Sequence, residues 1–145
     1  LQDGRWRINN CLNYTKELSV VDPVIFALVL LVLLQTKHLF ADFFLQTPRM
    51  LRDRGVYLHF GRLQHAGLHA AASLVALVLV GVPVALGFTV AAIEWVVHFH
   101  VDWGKGRWSD HSGHNPTQAG FWRAFGVDQA IHQWTYVAMV WAVLP

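Results

Sequence analysis

The sequence predicts an all-α, polytopic membrane protein, a four-transmembrane-helix antiparallel bundle, and three observations predict it. Hydrophobic residues make up 54% of the 145 and charged residues only 14%, a far more apolar balance than that of an ordinary soluble domain. Four apolar stretches are each long enough for a helix of about 20 residues to cross the hydrocarbon of a bilayer. Tryptophan and phenylalanine fall largely near the ends of those stretches, where amphipathic rings sit at a membrane interface. The length suits one domain. The single cysteine, Cys11, excludes an internal disulfide and a thiolate metal cluster and leaves the redox compartment unread. A net charge of +2 is too small and too dispersed to argue for nucleic acid.

Each element follows in chain order. Residues 1–22 form an N-terminal polar tail with no clear apolar period and no initiator methionine, so they read as a processed or incomplete start to which no structure is assigned. Residues 23–145 form the transmembrane domain. Its first span is expected at 23–47, where VIFALVLLVLL follows Asp22 and Pro23, an N-cap and a first-turn proline; Pro48 ends it. The second and third spans, 64–82 and 84–103, are joined through Gly81–Pro83, a connection so short that the two helices must be antiparallel neighbours. The fourth covers 124–144. There is no repeat of fixed period and no low-complexity tract.

Alternating crossings bring the C-terminal ends of spans one and three and the N-terminal ends of spans two and four to one side of the membrane. The polar residues gather there, as His38 and Asp42, His65 and His69, His98 and Asp102, and Asp128 and His132. Each pair is spaced i, i+4, and residues four apart share a helix face one turn from each other. Every helix can therefore turn two candidate ligands toward a common axis. Span one extends its stripe through Gln35, His38, Asp42 and Gln46, and span three adds Glu94 one turn below His98. Ionisable side chains within a membrane cost several kcal/mol each when unpaired, so their coincidence on one face of every helix points to a shared polar site. A purely structural hydrogen-bonded Asp and His cluster is the alternative.

Imidazole with carboxylate and no sulfur suits a divalent metal ion, zinc first and iron(II) or manganese as alternatives. The candidate ligands are His38, Asp42, His65, His69, His98, Asp102, Asp128 and His132. One tetrahedral zinc needs three protein ligands and an open water position. Eight candidates imply either two ions or a set in which about half orient the others. Glu94 and Asp128 are the candidate catalytic carboxylates, able to accept a proton if left uncoordinated. His100 lies about 200° around the helix from His98 and faces elsewhere. His111 and His114 fall in a Gly-, Ser- and Pro-rich segment and read as solvated loop residues, and His59 reads as surface. Haem ranks below a metal ion, because each histidine has an acid or another histidine one turn away, which crowds a flat macrocycle.

Lysine and arginine counts orient the chain. The 47–64 loop carries Arg49, Arg52, Arg54 and Arg62, and the segment after span three carries Lys105, Arg107 and Arg123. The opposite side has an uncharged turn and a tail with Arg5, Arg7 and Lys16. The site-bearing loops are thus expected to be cytoplasmic in a multi-pass protein of the bacterial inner membrane, with both termini outside. Lys37, Arg52, Lys105 and Arg107 frame the site, where they either attract a phosphate or an anionic lipid head group or simply set topology.

The segments KHLFADFFLQ, HAGLH, HFHVDWGK and FGVDQAIH resemble, in order and spacing, the signature segments of a family of small bacterial integral membrane proteins known only as a domain of unknown function. They are similar, more weakly, to predicted membrane-bound metal-dependent hydrolases. The first resemblance covers roughly residues 30–140 and implies a site drawn from His38, Asp42, Gln46, His65, His69, His98, Asp102, Asp128, Gln129 and His132. The extra His100 and the long tail before Asp22 depart from that pattern. The resulting functional expectation is a metal-dependent hydrolase of a lipid or phosphoester at the cytoplasmic leaflet. The competing expectations are an ion or proton pathway, and an accessory or structural subunit held by a membrane-protein partner or by a homo-oligomer.

Overall fold

The computed structural model describes residues 22–52 and 54–145. The expected tail, apart from Asp22, lies outside the described residues, as does Cys11. Those described form helices α1 (Pro23–Phe43), α2 (Pro48–Leu51), α3 (Phe60–Leu79), α4 (Val84–Ser112) and α5 (Ala119–Val143), with no strand among them.

The ends of α1 and α2 follow from local chemistry. Asp22 Oδ1 accepts from the Val24 N–H at 2.7 Å, and Pro23 occupies the first turn, where its missing N–H costs nothing. The helix stops at Phe43, short of the expected 47, because the chain is already turning when it reaches Pro48. That proline opens α2 behind the Thr47 cap; the residue before a proline is pushed out of helical conformation.

The later helices begin earlier or run longer than the sequence suggests. Starting at Phe60, α3 takes Arg62 out of the loop in which it was expected and buries it. Its Nη1 donates to the Val56 and Tyr57 carbonyls at 2.8 and 3.0 Å, so this arginine clamps the preceding turn and is not a free loop charge. Helix α4 passes through Gly104 and Gly106 and ends only where Gly113 adopts φ 63°, the left-handed C-terminal position that glycine fills without strain. His111 is therefore in the last helical turn, not in a loop. Gly106 is required by packing, since a Cβ there would overlap the Arg54 carbonyl.

The four long helices close a ring, α1 packing on α3 and α5, and α4 packing on α3 and α5. One half of the ring is filled by Phe26, Leu30, Leu34, Leu77, Val90, Tyr136 and Met139. The other half holds the buried polar residues His38, Arg62, His65, His69, Glu94, His98, Asp128 and His132. Outside, large apolar side chains face away from the protein, with Trp134 and Trp141 70% and 80% exposed, a surface of the kind that meets lipid or another protein. Of the four expected spans, α1 and α4 are long and apolar enough to cross a membrane. Their apolarity and these outward faces support membrane association.

Candidate metal centre

The i, i+4 spacing puts its pairs where the sequence predicts, and ring closure then determines which pairs meet. From α1, Asp42 Oδ1 approaches His69 Nε2 at 3.0 Å and His65 Nε2 at 3.3 Å, while Oδ2 lies 3.4 Å from His38 Nε2. From α4, Asp102 Oδ2 lies 3.5 Å from His98 Nε2 and 3.6 Å from His65 Nε2, and Oδ1 lies 3.4 Å from His132 Nε2. Five imidazoles from four helices thus direct Nε2 at two carboxylates. The histidine rings pack closely, His98 lying 3.9 Å from His69 and 4.2 Å from His132 between centroids.

Two overlapping ligand groups result. Asp42, His65, His69 and His98 form one, and His98, Asp102 and His132 the other, with the potential ligand atoms of each within 4.8 Å of one another. His98 belongs to both. Six of the eight candidate ligands are therefore gathered, including His65. The remaining two lie alongside. His38 exchanges hydrogen bonds with the Tyr136 hydroxyl at 2.8 Å through Nδ1 and with Gln129 Oε1 at 2.9 Å through Nε2. Asp128 accepts from Lys105 at 2.9 Å, and its other oxygen is 3.8 Å from His132 Nε2.

The donors fit a divalent ion. Four imidazoles and two carboxylates without sulfur suit zinc, iron(II) or manganese. His98 Nε2, directed at Asp102, is buried without a hydrogen-bond partner, a costly state for a polar atom that a bound cation would relieve. Between this cluster and the α2 turn lies a cavity of about 10 Å³ lined by Gln46, Arg62, His65, Asp102 and Lys105, room for roughly one water. Gln46 therefore reaches the site from beyond the end of α1, whereas Gln35, on the same expected stripe, is exposed.

A family model described as "Protein of unknown function (DUF3307)" matches residues 29–144. The chain belongs to the DUF3307 family. No curated protein and no solved structure matches it. The matched stretch includes every member of the cluster.

In this DUF3307 chain some residues of the site escaped sequence reasoning. Lys37 is buried against Glu94 as an ion pair and stands 3.3 Å from His69 Nδ1, so it is not available to capture a phosphate as expected. Adjacent to His38 in sequence, it carries no i, i+4 signal. Tyr136 did carry one, because Asp128, His132 and Tyr136 continue a single stripe in steps of four. His100 is exposed and bonds outward to the Tyr57 hydroxyl at 3.0 Å, away from the cluster. His59 is half-buried at the N-cap of α3.

Proposed function

We propose that this DUF3307 chain is a metal-dependent hydrolase embedded in a bacterial inner membrane. In this reading α1, α3, α4 and α5 all cross as an antiparallel bundle, residues 23–145 form the transmembrane domain, and the polar layer lies near the cytoplasmic leaflet. The observation that carries it is the convergence of Asp42, His65, His69, His98, Asp102 and His132 from four helices into two ligand groups that share His98. These residues would hold a divalent ion, which would supply Lewis acidity toward water and toward a phosphoryl or carbonyl oxygen of a lipid or phosphoester.

The chain's own residues divide the remaining work. His38, fixed by Tyr136 and Gln129, orients Asp42; partners of this kind hold ligands in productive geometry. Asp128 is the better placed of the two candidate proton acceptors, with one oxygen toward His132 and the other held by Lys105. Glu94 is engaged by Lys37 and 1% exposed, which suits a role in holding α1 to α4.

Elemental analysis of detergent-purified protein is the first test. The native chain is expected to retain zinc, iron or manganese, and a His98→Ala Asp102→Ala double variant to lose it. Asp128→Ala should keep the metal while turnover of a lipid or phosphoester panel drops by about 10²–10⁴, the usual range for a general base. Equal metal content in native and double-variant protein would remove the centre from consideration.

A second reading, an accessory subunit, draws on the outward Trp134 and Trp141; stable companions co-purifying from native membranes would favour it. The apolar half formed by Leu30, Leu34, Leu77 and Met139 weighs against a polar pathway for ions or protons across the whole bundle.

A further inference from the structure

A second cavity, of about 730 Å³, opens between the C-terminal half of α4 and the N-terminal half of α5, within the size range of small-molecule sites. Its walls divide by chemistry. Val101, Val127 and Ile131 line one end, while Lys105, Trp108 and Arg123 line the other. Trp108 stacks on His114 with ring centroids 5.4 Å apart and planes 20° apart, closing the rim. A Cβ on Gly120 would come within 2.8 Å of the His114 ring, so glycine is what lets the rim close.

Membrane depth matches this division. Counted from Val84, about 20 residues at 1.5 Å rise fill the hydrocarbon, which puts Lys105 at its edge. Counted back from Val143, the same length reaches position 124, which puts Arg123 at the same edge. The apolar walls then lie at acyl-chain depth and the cations at headgroup depth. Asp128 takes one contact from Lys105 and leaves that ammonium further donors. Arg123 makes no ion pair among the described residues. Asp128 itself lines both this cavity and the edge of the metal cluster.

We infer that this groove binds an acidic membrane lipid, its phosphate held by Arg123 and Lys105 and an acyl chain lying along Val101, Val127 and Ile131. As the route by which substrate reaches the metal centre it rests on the hydrolase reading above. Charge complementarity at headgroup depth selects a lipid whose headgroup is net anionic over a zwitterionic one, and the apolar walls select a lipid over a free phosphate.

Native mass spectrometry of the detergent-solubilised full chain tests this, with dioleoyl phosphatidate, dioleoyl phosphatidylcholine and glycerol 3-phosphate added at equal concentration. Phosphatidate is expected to be retained about tenfold more than phosphatidylcholine, the factor one charge-assisted contact gives, and glycerol 3-phosphate not at all. Arg123→Gln should remove that preference and Val127→Trp should fill the groove and abolish retention, both with metal content unchanged as the sign of an intact fold. Equal retention of the two lipids, retention that survives Val127→Trp, or binding of glycerol 3-phosphate as tight as the lipid's would each overturn the inference. Repeating the titration on chelator-stripped protein separates the two readings. Phosphatidate retained by a chain with no turnover in any metal state upholds the groove and rejects the hydrolase, whereas lost retention by a metal-loaded chain that turns substrate over rejects the groove and upholds the hydrolase.

Discussion

Lys37 and Glu94 are each more than nine-tenths buried and come from α1 and α4. A buried pair of this kind contributes little net stability, because desolvation offsets the attraction, yet removing one partner strands the other charge. Lys37→Met or Glu94→Leu alone is therefore expected to destabilise the chain by about 3–5 kcal/mol, and the double replacement by much less. Chemical unfolding in detergent measures all three, and additive losses would show that the two side chains do not act as a pair. Neither residue announced this in sequence. The pairing spans 57 positions, whereas the His and Asp pairs within a helix are four apart and are fixed by local geometry alone.

Glycine placement separates what an element tolerates from what its neighbours allow. Gly106 lies against the Arg54 carbonyl, while a Cβ on Gly126 of α5 would meet nothing within 4 Å. Gly106→Ala should push the 54–58 turn off α4 and cost about 1–3 kcal/mol, as overpacking does. Gly126→Ala should raise stability by up to about 1 kcal/mol through helix propensity. Thermal unfolding of both variants reads the contrast directly, and two shifts of the same sign would contradict the packing at Gly106. Helix α4 runs through Gly104 and Gly106 to Ser112, and of these two glycines only Gly106 serves a close backbone approach.

For the molecule as a whole, the proposed topology sets the Gly81 turn and the 113–118 connection on opposite sides of the membrane. In a Cys11→Ser background, Val84→Cys is expected to react with an impermeant maleimide in intact cells, and Thr117→Cys only after permeabilisation. The reverse pattern would invert the orientation, and labelling of both from outside would contradict four crossings. The apolar half of the ring and the polar half differ in depth, so this experiment also assigns the polar layer to a leaflet.

The sequence by itself determined the helical class, the apolar balance and the pairing of ligand candidates along each helix, because a 3.6-residue turn fixes which neighbours share a face. It also brought His38, Asp42, His65, His69, His98, Asp102, Asp128 and His132 under suspicion. Only the tertiary structure decided which of them converge. His38 turned toward Tyr136 and Gln129, and Asp128 toward Lys105, while His65 joined the ligand group around Asp42. It alone revealed Arg62 as a buried clamp, Lys37 as the partner of Glu94, and the groove between α4 and α5. These depend on how the helices rotate and slide against one another, and that is settled by side-chain packing across the ring, which no single helix's periodicity encodes.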